Sequence, residues 1–315
     1  MNSSYLPPSK SHWHGRHSAK KEYWHQVIQF VDLFKAQQVH ADIAFLGYQC
    51  EEGVRRNQGR PGTKEGPNAI REMLGKLPIH RDDVQLADCG NLVYNEAIEL
   101  STFQLQFAGH IARLLKDRTF PIALGGGHDI SYAHFCGIHD ALYQDGSTFG
   151  IVNFDAHFDL REENQATSGT PFKQLLDQYG DHTHYLALGI QQSANPKSLF
   201  EAASRTGSQY LLLENCSTEN YQLTLDAINL LLEKVDHLYI TVDMDGFSSS
   251  FSPGVSAPSA FGLTPQYVQQ TLRYLMQTKK VVAIDFAELN PGYDLDCASV
   301  RLAAKLIWEV IQYVD

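Results

Sequence analysis

GIVNFDAHFD (150–159) runs mostly apolar and then turns acidic and histidine-bearing. Ile151, Val152 and Phe154 suit a strand buried on both faces, the kind found in parallel sheets covered by helices. Asp155, His157 and Asp159 then fall at i, i+2 and i+4, a spacing that in extended chain directs all three side chains to one face. Ligands of an open parallel sheet bind in the crevice beyond the carboxyl ends of its strands, so this stretch points to a fold and to a site within it.

Three further stretches repeat the switch from apolar to polar: PIALGGGHD (121–129), LYITVDMD (238–245) and VVAIDFAELNP (281–291). Around them, strands are expected at 42–46, 84–87, 120–124, 148–154, 185–189, 209–213, 237–242 and 281–286. Amphipathic stretches at 103–116, 223–234 and 265–276 have the length and period of crossover helices, and a last helix over 298–314 should bury Leu302, Leu306, Trp308 and Ile311. Strands alternating with helices predict an α/β fold with an eight-stranded parallel sheet. Residues 1–20 are polar and His-rich and read as a loose N-terminal arm, leaving 21–315 as a single domain.

Composition narrows the function. The 315 residues are 43% hydrophobic with a net charge of −11, which opposes nucleic acid or an anionic membrane as partner. No apolar run approaches the ~20 residues of a membrane helix. The amino terminus has no signal-like h-region, so a cytoplasmic location is expected. Five scattered cysteines without a CxxC pair argue against a disulfide framework or a thiolate zinc site.

If the four strand ends converge, they gather His128, Asp155, His157, Asp159, Asp243 and Asp245. Four carboxylates that close cannot all ionise unless cations share the site. Two divalent ions balance four aspartates, whereas one leaves two charges uncompensated. An oxygen-rich donor set without thiolate suits manganese. Taken singly, each cluster has a plainer reading: DAHFD as a turn or helix cap, GGGHD as an anion nest, ITVDMD as a strand running into a loop. Their joint occurrence at strand ends favours a binuclear centre.

With these motifs the chain resembles the ureohydrolase superfamily of arginases, agmatinases and formimidoylglutamases. The resemblance implies a three-layer α/β/α fold and two Mn²⁺ ions. His128 and Asp159 would hold one ion and His157 and Asp245 the other, with Asp155 and Asp243 bridging both. It also implies that Glu288 orients an amidine or guanidinium group, and that the chain is a homo-oligomer.

Departures from the arginase pattern narrow the substrate. Gly127 and Asp129 flank His128 where arginases and agmatinases usually read GGDHS or GGEHS, and Ser168-Gly169-Thr170-Pro171 stands where they carry a shuttle histidine. GGGHD, TSGTPF, PGVSAP (253–258) and GVRRNQGRPGTKEGPNAIR (53–71) are similar to formimidoylglutamases. N-formimidoyl-L-glutamate carries two carboxylates, and the 53–71 segment holds Arg55, Arg56, Arg60, Lys64 and Arg71, a basic cluster in an acidic chain. Arg60 is the first candidate for a substrate carboxylate, followed by Asn57 and Arg161, with Ser168 beside them.

The expected reaction is attack of a metal-bridging hydroxide on the formimidoyl carbon, releasing L-glutamate and formamide, with Glu288 and Asp159 as catalytic residues. Two other readings stay open. One is a ureohydrolase for agmatine, guanidinobutyrate or arginine; the other is a metal-binding relative without activity.

Overall fold

The structure is a computed structural model that describes residues 4–314. In chain order the strands are β1 (Tyr5–Leu6), β2 (Gln29–Phe30), β3 (Ile43–Gln49), β4 (Leu86–Val93), β5 (Phe120–Leu124), β6 (Phe149–Phe154), β7 (Thr183–Ile190), β8 (Gln209–Leu212), β9 (His237–Asp243) and β10 (Val281–Ala287). The helices are α1 (Glu52–Arg56), α2 (Gly66–Leu74), α3 (Leu100–Lys116), α4 (Ile130–Leu142), α5 (Pro171–Tyr179), α6 (Lys197–Arg205), α7 (Tyr221–Leu232), α8 (Pro265–Gln277) and α9 (Ala298–Ile311).

All eight expected strands form and pair in parallel, in the order β4-β3-β5-β10-β9-β6-β7-β8. Among the described residues the sheet has ten strands rather than eight, because β1 and β2 both pair with β4, β1 in antiparallel fashion. Two-residue strands have no periodicity for a sequence to display.

Alternation along each strand divides the core into two layers. Val152, Ile240 and Ile284 face one side, where α2, α7, α8 and α9 bury Ile70, Ile228, Leu272 and Ile307. Ile151, Tyr239 and Ala283 face the other, against Phe107, Ile138, Leu175 and Ala202 of α3, α4, α5 and α6. The result is the expected α/β/α sandwich. On α9, Leu306 and Ile311 are buried as expected, and Leu302 and Trp308 pack half-buried against the same core.

The segment expected to be a loose arm is laid against the sheet, although residues 1–3 of it lie outside the described residues. Tyr5 and Trp13 are buried, and Trp13 donates its indole N–H to Asp88 at 2.8 Å. Asp88 also receives the guanidinium of Arg71 at 2.9 Å, so an aromatic residue of the arm completes a buried charge pair in the body. Among the described residues no helix is long and apolar enough to cross a membrane. All five cysteines are free, and only Cys297 is exposed.

Candidate metal centre

Strands β5, β10, β9 and β6 are consecutive neighbours in the sheet. Their carboxyl ends therefore lie side by side, which brings together the four polar clusters despite their separation in sequence. After β5 the chain makes a tight glycine turn. A Cβ on Gly126 would lie 1.8 Å from the carbonyl oxygen of Cys50, a backbone atom that cannot yield, so only glycine passes here. The turn delivers His128 to the site with no exposed surface.

His128 Nδ1 lies 2.8 Å from Asp159 Oδ2, 3.0 Å from Asp243 Oδ2 and 3.3 Å from Asp155 Oδ2. His157 Nδ1 lies 3.3 Å from Asp245 Oδ1 and 3.4 Å from Asp155 Oδ1. The side chains form two groups, His128-Asp155-Asp159-Asp243 and Asp155-His157-Asp245, and the donor atoms within each group all lie within 4.8 Å of one another. Asp155 belongs to both groups, so two cation positions would share its carboxylate. Asp243 falls in the first group alone, and its Oδ1 accepts the backbone N–H of Asp245 at 2.7 Å. Asp245 Oδ1 is buried and makes no hydrogen bond, as suits an oxygen that serves a cation. The donor set thus fits two hard or borderline divalent ions.

The electrostatics describe a site crowded with negative charge. Burial, then the nearby Asp155, raises the Asp159 carboxyl to about 6. Burial, then Asp245 and Asp155, lifts Asp243 well above the carboxylate range. Burial also opposes ionisation of Asp155, but His128 and His157 outweigh it and hold that carboxyl below its usual range. Burial presses both imidazoles toward the neutral form, yet the surrounding aspartates together raise His128 and His157 well above 6.5.

Glu288 follows β10 at the same rim. Its Oε1 accepts the N–H of His128 at 2.7 Å and its Oε2 accepts from the Ser256 hydroxyl. Burial, then Asp245, raises it to about 8. Glu288 and Asp159 both hold positive φ, 63° and 48°, a region that side-chain-bearing residues rarely occupy and that clusters at functional sites.

A cavity of about 250 Å³ opens over these residues. His157, Asp159, Asp243, Asp245 and Glu288 line it together with Asn57, Arg161 and Ser168. Asn57 donates to the Ser168 hydroxyl at 3.2 Å, and Ser168 N–H donates to Gly53 O at 3.1 Å, which ties the two loops together.

Arg60 does not line the cavity. Asn290 holds the carbonyls of Arg60 and Pro61 at 3.0 Å each, and the Arg60 guanidinium lies over the Tyr293 ring at 5.0 Å. The other cations of the 53–71 segment are also engaged: Arg55 and Arg56 with Glu52, Lys64 with Glu51, Arg71 with Asp88. Arg161 has no carboxylate in ion-pair reach among the described residues and is the guanidinium that lines the cavity.

Ser256 was not singled out from the sequence, although PGVSAP contained it. Asp129 was noted only as a departure from the arginase pattern. It is buried, raised to about 7 by that burial, and accepts the Tyr48 hydroxyl at 2.6 Å.

Comparison with known proteins agrees with this geometry. The sequence profile of the arginase family matches residues 41–312. A formimidoylglutamase of Macrococcus caseolyticus is 39% identical over 96% of this chain and 96% of its own. A formiminoglutamase of Trypanosoma cruzi, solved with Mn²⁺, superposes with a TM-score of 0.77 at 26% identity, covering 89% of this chain and 95% of that one. A formimidoylglutamase of Bacillus subtilis shares the fold with a TM-score of 0.83 at 22% identity, over 95% and 94% of the two chains. The chain belongs to the arginase family.

Proposed function

We propose that the chain is a binuclear manganese hydrolase that cleaves N-formimidoyl-L-glutamate, with water, to L-glutamate and formamide. The observation that carries this reading is Arg161, a guanidinium with no carboxylate in ion-pair reach among the described residues, which lines the same cavity as His157, Asp159, Asp243 and Asp245 of the two donor groups. The names and full-length coverage of the relatives support the same substrate.

In this reading His128, Asp155, Asp159 and Asp243 would hold one ion, and Asp155, His157 and Asp245 the second; the bridging place that the resemblance implies for Asp243 is not matched by its position in the first group alone. Bound there, two Mn²⁺ ions would neutralise the aspartates and acidify a water from a pKa of ~15.7 toward neutrality. Arg161 receives a substrate carboxylate through its planar fork. Asn57 keeps one amide proton free after donating to Ser168, and it donates that proton to the same end of the substrate. Glu288, fixed by His128 N–H and Ser256, accepts from the amidinium nitrogen and aligns the formimidoyl carbon. Asp159, which lines the cavity, would take the proton of the attacking water and pass it to the departing glutamate nitrogen, since no histidine occupies 168–171.

The same reading takes residues 21–315 as one catalytic domain, which the family match over 41–312 supports. Four buried free cysteines suit a reducing, cytoplasmic location. A homo-oligomer belongs to the same reading as what the family resemblance implies.

The test is an assay of purified, Mn²⁺-loaded protein with N-formimidoyl-L-glutamate and, separately, with arginine, agmatine and guanidinobutyrate. Formamide and glutamate from the first are expected. Urea from any of the others, with no formamide, would replace this reading with that of a ureohydrolase.

A further inference from the structure

Behind His128 lies a buried polar chain that the proposed reaction does not use. Tyr239, Thr241 and Asp243 share one face of β9, and Asp285 on β10 is the register partner of Thr241. Asp285 has no exposed surface, although it interrupts an apolar run in a strand covered on both faces. Three donors converge on it. Thr241 Oγ1 donates to its Oδ1 at 2.6 Å, while the Tyr239 hydroxyl and His134 Nδ1, the latter at 2.8 Å, reach its Oδ2. His134 projects from α4 and is itself fully buried.

Proton accounting then fixes the state of the next residue. A threonine hydroxyl has one proton and two lone pairs, and the proton of Thr241 is committed to Asp285. Its lone pairs face His128 Nε2 at 3.0 Å and Ser131 Oγ at 3.1 Å, so both of those atoms must donate to it. The ring proton of His128 therefore sits on Nε2. Once the ring is neutral, as a cation ligand must be, its lone pair is left to Nδ1, the nitrogen that faces Asp155, Asp159 and Asp243.

We propose that Asp285, acting through Thr241, is a positioning residue that sets the tautomer and ring plane of His128, so that Nδ1 is prepared as a cation ligand. His134 and Tyr239 hold Asp285 in place for that purpose. A partner on the distal nitrogen of a ligand histidine orients the ring and strengthens its basicity, and loss of such a partner typically weakens metal binding roughly 10- to 100-fold. The inference rests on the reading of His128 as a ligand.

The experiment titrates Mn²⁺ into metal-free protein and follows the unbound ion by electron paramagnetic resonance. It compares wild type with His128→Asn, Thr241→Val, Thr241→Ser and Asp285→Asn, each checked for native circular dichroism. Wild type should take up two ions and His128→Asn should lose one of them. Thr241→Val should keep two sites with one weakened roughly 10- to 100-fold, and Thr241→Ser should return to within a few-fold of wild type. Asp285→Asn, whose amide can donate to Thr241 and turn its proton toward His128, should resemble Thr241→Val. In both weakened variants turnover should return at saturating Mn²⁺, which a distorted fold would not allow. If Thr241→Val and Asp285→Asn bind both ions as tightly as wild type while His128→Asn loses one, the positioning role is wrong and the ligand reading stands. If His128→Asn keeps two undiminished sites, the ligand reading itself fails and takes this inference with it.

Discussion

Glu288 Oε1 accepts the backbone N–H of His128 at 2.7 Å, joining two residues 160 positions apart in the chain. The contact locks the rim after β10 to the glycine turn after β5, so a residue proposed to hold substrate is fixed by the backbone of a residue proposed to hold metal. Glutamine at 288 can keep an acceptor oxygen for His128 N–H while its amide donates to a reoriented Ser256 hydroxyl, but it loses the charge that an amidinium requires. Glu288→Gln should therefore bind both ions normally and lose roughly 10²-fold in turnover, the scale of one charge-assisted contact at a reacting group. Metal analysis beside a formamide assay checks this, and unaltered turnover would remove Glu288 from the mechanism.

Arg161 and Arg60 make opposite forecasts. Arg161 lines the cavity, whereas Arg60 lies over Tyr293 outside its lining. Arg161→Met should raise KM roughly 10- to 100-fold through the loss of a carboxylate contact, with a smaller change in kcat. Arg60→Met should move KM less than threefold or so, as expected of a residue remote from substrate. Steady-state kinetics on both variants decides, and the reverse ranking would return the carboxylate to the 53–71 loop.

The two arginines show where a sequence can be read and where it cannot. The side chains of the candidate metal centre were legible because each sits where a buried strand stops being apolar, a local signal that parallel-sheet geometry turns into a shared rim. The pairing of Arg55 and Arg56 with Glu52, three and four residues away, was open to a local reading, but the fate of Arg71 was not, since it depends on Asp88, a partner that only the folded chain brings near. β4 continues to Val93 through Asp88 and Asn91, polar residues that read as loop but face the buried Arg71 guanidinium. β1 and β2 are too short to carry a pattern. Asp285 did leave a trace, a lone acid inside VVAIDF, and a charge within a strand covered on both faces is a sign that partners wait for it in the fold.

The buried pair beneath the N-terminal segment has a stability consequence. Arg71 and Asp88 are each 1% exposed, and Asn91 and Gly90 O also accept from the guanidinium at 2.7 Å. Arg71→Met would leave the Asp88 carboxylate buried with the Trp13 indole as its remaining side-chain partner. The expected loss is about 3–5 kcal/mol, the usual effect of stripping one partner from a buried ion pair. Trp13→Phe removes a single hydrogen bond and should cost about 1–2 kcal/mol. Urea unfolding of the two variants measures both, and equal small losses would mean that the pair is better hydrated than its burial indicates.

Metal loading should be coupled to protons with a definite sign. Asp159 is raised to about 6, and Asp243, His128 and His157 are each raised above their ordinary values, so before a cation enters these groups hold protons that free carboxylates and imidazoles would have released. A divalent ion needs their lone pairs and must expel those protons. Binding therefore releases protons, and affinity should climb as pH rises from about 6 to 8, because each expelled proton favours the loaded form at lower proton activity. Stability should follow the same direction, since ions bound only to the native chain add to it by mass action, and chelation should lower the melting temperature more at pH 8 than at pH 6. Titration calorimetry of Mn²⁺ binding in two buffers of different ionisation enthalpy counts the protons released. Proton uptake, or an affinity that does not change across that range, would contradict the electrostatic account of the site.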